Sequence, residues 1–527
     1  MTFHSFGDRA LLINFSQGID NQINTQVIRF NQAVQNATIK GVKYTIPAYC
    51  SLTIGYDPQL TNYDDLVEIL QQIKLPDTVE TESRLIEIPV SYAPADALDM
   101  KEVSRQTGLT PEEIIDLHTS KIYRVFMLGF LPGFPYLGTV DERLKVSRKQ
   151  NPRLRVPPNA VGLAGLQTGI YPSAAPGGWQ IIGRAMIDVF DDKKEHPFLL
   201  RAGDRVKFIR WRTDSLVCQE KPATPLFTHR QECLPLVRRN KLSSILKAGL
   251  HTTIQDNGRS GYQSQGVPVG GAMDKKAMQI ANQLVENQPN TPVIEITLLG
   301  PKIQFHTATQ IAITGANLSA KINGKAIEYY RTINIQQDDI LSFGFPKMGC
   351  RTYVAIRGEW EIKRWLGSAS AASTNTVALT PDSYLKKGNQ LIIKSLPFVQ
   401  IKKTTPPNTI DYNSPFTIRV LPSIEFEQFP RRSIAHFFSQ IHTISPDSNR
   451  MGYRLQTTLI DFSPPQELIS SGVVPGTIQI TNSGQPIILM RDAQTTGGYY
   501  RFLNVISEDL DRLAQAKPGD KIRFELI

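Results

Sequence analysis

The sequence predicts a mostly β, α+β protein in which two related domains follow a small α+β unit at the N-terminus. Three observations carry this. The 527 residues exceed what one ordinary core organises, so several domains are expected. The 36 Gly and 35 Pro, among many Val, Ile and Thr, favour strands and turns over a helical bundle. Finally, APGGWQIIGR at Ala175–Arg184 is echoed by TTGGYYRFLN at Thr495–Asn504, with a Gln-Thr pair nearby on the N-terminal side of each, Gln167-Thr168 and Gln494-Thr495. Both copies lead to a similar ending, AGDRVKF at 202–208 and PGDKIRF at 518–524, as one supersecondary unit used twice would.

Along the chain, RALLINF and SLTIGYD read as strands, whereas DDLVEILQQI sets Leu66, Ile69, Leu70 and Ile73 on one helical stripe. From Arg84 the strand-like LIEIPVSY precedes two short helices, LDMKEVSRQTG and TPEEIIDLH. Thr110 as N-cap, Pro111 at the first helical position and Glu113 three residues past the cap form a capping box. The pair resembles a DNA-reading helix-turn-helix, but Glu112, Glu113 and Asp116 would face phosphates with the wrong charge. His118, ending the second helix, reads as a capping or surface residue whose protonated form the helix C-terminus favours.

MLGFLPGFPYLGTVDERL and PRLRVPPNAVGLAGLQTGIYPSAAPGGWQIIGR carry too much Gly and Pro for helices and read as strands and shaped loops. Lys221 to Val237 has linker character, and a new module starts near Leu246 with a Gly-rich polar loop and a helix over 274–285. Ile401 to Pro415 reads as a second linker. Cuts near 84, 235 and 405 give units at 1–84, 85–220, 241–404 and 405–527, with a linker at 221–240.

The net charge of +10 comes from scattered doublets such as Arg148-Lys149 and Arg431-Arg432, a solvated basic surface rather than a nucleic-acid or membrane patch. Cys50, Cys218, Cys233 and Cys350 show no metal or disulfide spacing and fit reduced thiols. The N-terminus lacks a signal-peptide pattern and no run approaches a membrane span, so a cytoplasmic protein is expected.

GFLPGFPYLG, PRLRVPPNAVGLAGLQTGIYP and PGGWQIIGR resemble the KipI family, also called PxpB or allophanate hydrolase subunit 1-like. GLHTTIQDNGR, GGAMDKKAMQIAN, RMGYRL and GTIQITNSGQPIILMRDAQTTGGY resemble the KipA family, PxpC or allophanate hydrolase subunit 2-like, related to biotin-dependent carboxyltransferases. The resemblance spans nearly the whole chain in that order, as in a fusion of two partners. It implies tandem cyclophilin-like β-barrels with a small N-terminal α/β domain. It also implies components B and C of an ATP-dependent 5-oxoprolinase, an amide (lactam) hydrolase that opens 5-oxo-L-proline to L-glutamate with a third, LamB/YcsF-type partner. Two rivals are a biotin-dependent carboxyltransferase acting on urea or a related amide, and a regulator inhibiting a sensor histidine kinase. Fusing inhibitor and antagonist would fix their ratio, which weakens the last.

Opening a lactam requires carbonyl activation, stabilisation of developing negative oxygen, and a proton for the leaving nitrogen. No G-x-x-x-x-G-K-[ST] occurs, so ATP is expected on or with the partner component. No A-M-K-M-type sequence occurs, so the chain carries no covalently attached biotin of its own. No G-x-S-x-G or H-E-x-x-H points to a serine or zinc hydrolase, and His436 and His442 are wrongly spaced for a metal on a helix.

The candidate catalytic residues are Asp256, Glu295, Asp492 and Gln494; a buried carboxylate beside an Arg is alternatively a structural ion pair. The first-half candidates for substrate binding are Arg155, Gln167, Tyr171, Gly177, Gly178 and Trp179. Those in the second half are Gln255, Arg259, Asp274, Asn282, Arg450, Arg454, Gln479, Thr495, Gly497, Gly498 and Tyr499. The Gly pairs could form anion-binding nests, and Arg155 and Arg454 could clamp a carboxylate. Trp179 and Tyr499 either touch ligand or fill core. A homo-oligomer is compatible with everything above.

Overall fold

The computed structural model describes residues 1–73, 83–211, 241–373, 378–405, 415–462 and 468–527. Its first unit is an antiparallel sheet of Thr2–Ser5, Ala10–Asn14, Ser51–Tyr56 and Val42–Pro47 in that spatial order. Alternation along Ala10–Asn14 divides its side chains between two cores. Leu11 and Ile13 pack under the helices Asn21–Asn36 and Tyr63–Gln71, while Ala10 and Leu12 join Phe6 and Val474 of the distant second half. A sheet covered on both faces accounts for the unbroken apolar run in ALLI. The expected stripe on the second helix is narrower than its sequence, since Leu66 and Leu70 are buried but Ile69 is 40% exposed.

The repeat proves to be a complete barrel. In the first copy seven strands close in the order Leu85–Ser91, Gln180–Ala185, Ala160–Ala164, Gln167–Ile170, Pro135–Gly138, Ile122–Leu128 and Arg205–Arg210. The last strand returns parallel to the first, Arg205 opposite Leu85. In the second copy the order is Phe416–Pro422, Tyr500–Val505, Thr477–Ile480, Pro486–Leu489, Gly452–Gln456, His442–Ile444 and Lys521–Leu526. Again the last strand lies parallel to the first, Phe416 opposite Ile522. The similar AGDRVKF and PGDKIRF endings are therefore the strands that close each barrel, and closure removes the exposed sheet edge. Each barrel also carries a short ribbon, Arg153–Val156 with Ala175–Gly177 and Ser471–Gly472 with Thr496–Gly497.

Between the barrels, residues 241–403 form a seven-stranded and a five-stranded sheet, with the helix Lys275–Leu284 packed on the latter through Ala277, Met278, Ala281 and Leu284. The linker expected at Lys221–Val237 lies outside the described residues, as does most of the second, 406–414. Among the described residues no helix is long and apolar enough to cross a membrane.

The capping box forms as expected: Thr110 Oγ1 accepts from the Glu113 N–H at 3.3 Å, and the Thr110 N–H donates to Glu113 Oε2 at 2.8 Å. The expectation for His118 is corrected. Its helix packs onto the barrel through Ile114 and Ile115, which turns His118 inward to 0% exposure, stacked on Phe208 at 4.5 Å between ring centres. Tyr92 Oη lies 2.7 Å from its Nδ1 and Thr168 Oγ1 2.9 Å from its Nε2. The Thr168 hydroxyl already donates to Gly162 O, so Nε2 carries the proton and Nδ1 accepts from Tyr92. Burial alone pulls its pKa down to about 3, the reverse of the protonated helix cap the sequence suggests.

Candidate active site between the halves

Glycine permits the two halves to meet backbone to backbone. In the GFLPGFPYLG loop the Phe130 N–H donates to Thr496 Oγ1 at 3.1 Å, and a Cβ on Gly129 would sit only 2.0 Å from that oxygen. Leu128 bridges to Gln265, the Gly133 N–H donates to Gln265 O at 2.8 Å, and a Cβ on Gly266 would fall 2.4 Å from Leu131 O. Any side chain at Gly129 or Gly266 would part the two segments.

The loop after the strand His251–Gln255 builds the opposite wall. Asp256, fully buried, accepts from the hydroxyls of Ser368 and Ser370 at 2.6 Å each, and from the Gly258 and Ala369 N–H groups at 2.9 and 2.8 Å. Its carboxylate thus pins residues 368–370, with Arg364 at 3.4 Å. Arg259, 1% exposed, donates to the carbonyls of Trp365 and Ser370 and stands over the Trp365 ring at 5.1 Å. Burial pulls its pKa down to about 10, against Asp256 and Asp492, so it remains a cation at neutral pH. Its Nη1 makes no hydrogen bond among the described residues, and a Cβ on Gly270 would lie 3.6 Å from both that nitrogen and Asp492 Oδ1. The bare backbone of Gly270 therefore keeps a gap between a cation and a carboxylate.

Asp492 is held from behind. Arg450 donates to its two oxygens at 2.7 and 3.0 Å, to Glu295 at 2.5 Å and to Gly271 O at 2.6 Å. Glu295 is fully buried and also accepts from the Met273 N–H at 2.8 Å and Tyr353 Oη at 2.9 Å. Burial pushes its pKa up, but Arg450 and Arg351 outweigh this and hold it below the ordinary value, so it stays charged. Asp274 caps the helix Lys275–Leu284 through the Ala277 N–H and accepts from Gln515 at 2.7 Å; burial and then Asp511 raise its pKa to about 7.

These walls enclose a cleft of about 280 Å³. The first half contributes Phe130, Leu131 and Pro132, and the second contributes Arg259, Gly270, Trp365, Met451, Asp492 and Gln494 among others. Apolar faces surrounding a few convergent polar groups are the ordinary make-up of a small-molecule site.

The sequence-selected residues divide by position. Arg259, Asp492 and Gln494 line the cleft, with Arg450 immediately behind. Asp256, Glu295 and Asp274 are buried within the second half on internal partners, as is Asn282, which donates to Thr291 O at 2.8 Å. Gln255 is buried too, donating to Thr253 Oγ1 at 2.9 Å. Arg155 is exposed on the first barrel, and Arg454, also exposed, reaches Gln485 at 3.1 Å; neither lines the cleft.

Tyr171 and Trp179 pack edge-on against Phe134 at 5.1 and 5.5 Å, so Trp179 fills core. Gly177 and Gly178 do not have positive φ, so no αL nest forms there. Gly177 instead makes room for Tyr171, whose hydroxyl would be 2.3 Å from an added Cβ. Gly497 and Gly498 likewise lack positive φ, and a Cβ on Gly497 would lie 3.0 Å from Gln479 Nε2 and 3.7 Å from Gln494 Nε2. The second Gly pair thus brings two amides together at the edge of the cleft. Gln167 is half-buried in its barrel strand, Thr495 is buried, and Tyr499 is 42% exposed.

Phe130, Leu131, Pro132, Trp365 and Met451 escaped selection. For the first three the signal is the dense Gly and Pro of GFLPGFPYLG, and for Met451 its place beside Arg450 in RMGYRL; Trp365 carries no local mark.

Residues 1–200 match the family described as carboxyltransferase domain, subdomain C and D, and residues 265–526 match carboxyltransferase domain, subdomain A and B. The chain is 36% identical over 285 residues to the C component of 5-oxoprolinase from Escherichia coli K12, covering 53% of this chain and 89% of that protein. It is 40% identical over 218 residues to the B component of 5-oxoprolinase from Bacillus subtilis 168, covering 39% of this chain and 90% of that one. Urea amidolyase of Lachancea kluyveri is 33% identical over 304 residues, 53% of this chain but 16% of its own length. Among solved structures, TTHA0988 superposes with a TM-score of 0.85 at 31% identity, covering 98% of this chain and 99% of that one.

Proposed function

Since the chain belongs to the carboxyltransferase-domain family, joining a half related to the B component of 5-oxoprolinase to a half related to its C component, we propose that it supplies both components of an ATP-dependent 5-oxoprolinase. Its reaction opens the lactam of 5-oxo-L-proline to L-glutamate, consuming ATP and water. The observation that carries this reading is a cleft completed by both halves, with Phe130 to Pro132 facing Arg259, Asp492 and Gln494. A compact, mostly apolar ring bearing one carboxylate and one amide suits such a cleft. Arg259 Nη1 receives the substrate carboxylate, Asp492 exchanges a proton with the lactam nitrogen, and the Gln494 amide orients the carbonyl. Asp256, Glu295 and Arg450 hold those groups in place. The nucleotide that activates the carbonyl enters with a LamB/YcsF-type partner.

The test is glutamate formation from 5-oxoproline and ATP by this chain with and without that partner. Glutamate formed only with both supports the reading; none with a folded, bound partner overturns it. The urea amidolyase likeness, which spans about half the chain, favours a second reading as a carboxyltransferase fed by a biotinylated carrier. Carboxyl transfer from such a carrier to urea would select it.

A further inference from the structure

The segments that wall the cleft also wall a second cavity. Leu128 and Gln265, joined by their bridge, line a polar basin of about 670 Å³ between the helix Asn21–Asn36, the first barrel and the second half. Among the described residues four arginines and one carboxylate line it: Arg29, Arg84, Arg124, Arg201 and Asp204. The carboxylate is taken, since Arg84 grips both oxygens of Asp204, one of them at 3.1 Å. Arg124 projects from the barrel strand Ile122–Leu128, half-buried, and its Nε donates to the neutral Asn24 Oδ1 at 2.8 Å. No carboxylate among the described residues comes within ion-pair reach of Arg124, and burial alone pulls its pKa down. The guanidinium of Arg201, exposed at the edge, also has no carboxylate partner among the described residues. A half-buried guanidinium without a counter-ion, as at Arg124, is costly, and a second arginine lining the same basin, Arg201, suits it to an anion carrying more than one negative charge.

We propose that this basin is a binding site for a phosphate-bearing anion, held between Arg124 and Arg201. Guanidinium groups match phosphate oxygens in paired hydrogen bonds, and the volume exceeds what a lone orthophosphate fills. Among the described residues no aromatic ring lines the basin, so none of them stacks a nucleobase and the phosphates carry the recognition. The Leu128–Gln265 bridge makes an occupant here a neighbour of the cleft wall at Phe130 and Gly266.

Titration calorimetry of the full chain at fixed ionic strength, with orthophosphate, pyrophosphate and ATP as separate probes, tests the site. Pyrophosphate is expected to bind one-to-one, and Arg124→Gln and Arg201→Gln each to weaken it about tenfold. Gln494→Ala, in the cleft, leaves that affinity unchanged. ATP binding tighter than pyrophosphate assigns the site to a nucleotide; equal or weaker ATP binding assigns it to free phosphates. Arg201 is exposed, so its variant folds even if the Arg124 variant does not. The proposal is overturned by no saturable heat with any probe, by affinity that survives both arginine substitutions, or by affinity lost in Gln494→Ala. Neither lactam nor partner protein is present, so failure here leaves the oxoprolinase reading standing, and failure of glutamate formation leaves this site standing.

Discussion

Asp256 and Asp492 are both carboxylates beside arginines, and their surroundings give them different work. Asp256 accepts four hydrogen bonds from buried donors, so in Asp256→Asn one oxygen becomes an NH2 facing N–H or O–H groups. Loss of about 3 kcal/mol in urea unfolding is expected, from stranded buried donors. Asp492 is part-exposed on the cleft, and Asp492→Asn keeps its shape there. Under the proposed mechanism glutamate formation falls about a hundredfold as proton exchange is lost, while urea unfolding loses about 1 kcal/mol, less than for Asp256→Asn, because the amide can accept only one of the two hydrogen bonds that Arg450 donates. His118 provides a pH test. An unfolded imidazole protonates near 6.5, whereas in the fold burial pulls the value down to about 3. As pH falls from 6.5 towards 3 the unfolded chain takes up a proton that the folded chain refuses, so His118 lowers stability by about 1.4 kcal/mol per unit of pH in that window. His118→Gln should flatten the acid side of the stability profile, measured as unfolding midpoints across the window. An unchanged slope would show that the imidazole is not buried neutral.

At the scale of elements, the Gly-Gly-aromatic repeat was visible as text, yet its meaning depended on pairing. The capping box at Thr110 is legible because its residues lie three apart, whereas Asp274, read as a substrate-binding candidate at the start of the helix over 274–285, proves to be that helix's N-cap. The residue pattern gives strands, and only the family resemblance implies that they close into barrels: the closing pair, Arg205–Arg210 beside Leu85–Ser91, joins segments 120 positions apart and leaves no local period. For the same reason Arg259 could be selected from a polar loop, whereas Trp365 beneath it could not. His118 was misread because the helix's amphipathic spacing does not show which neighbour covers its last turn. Gly177 illustrates what the repeat's glycine does. Its Cβ position is occupied by Tyr171, with the hydroxyl at 2.3 Å and ring carbons at 2.8 Å, so Gly177→Ala should destabilise the first barrel by about 2 kcal/mol through overpacking. Adding Tyr171→Phe removes the nearest atom and should restore part of that loss, whereas a glycine kept for ligand access alone would show no such rescue in thermal melts.

For the molecule as a whole, the two halves behave as one body because contacts join them at several separate places. Asp8 accepts from the N–H and hydroxyl of Ser507 at 2.9 and 2.8 Å, and Arg501 lies over the Phe6 ring at 5.4 Å. Phe6, Ala10 and Leu12 share a buried cluster with Val474, and Phe190 packs with Val267, Trp365 and Leu379 on another side. Apolar burial of this kind drives association without a covalent tether, which contributes mainly effective concentration. A chain opened between Trp211 and Lys241, with both pieces co-expressed, is therefore expected to co-purify as a one-to-one complex and to retain glutamate formation with the partner component. Each piece alone should be inactive, since Phe130 to Pro132 and Arg259, Asp492 and Gln494 then belong to different molecules. Asp8→Ala with Phe6→Ala should loosen the opened complex while leaving the continuous chain active, because the tether there compensates for weakened contacts. Pieces that elute separately at micromolar concentration would show that the interface does not hold without the link. Activity from the second piece alone would move the site out of the cleft between the halves.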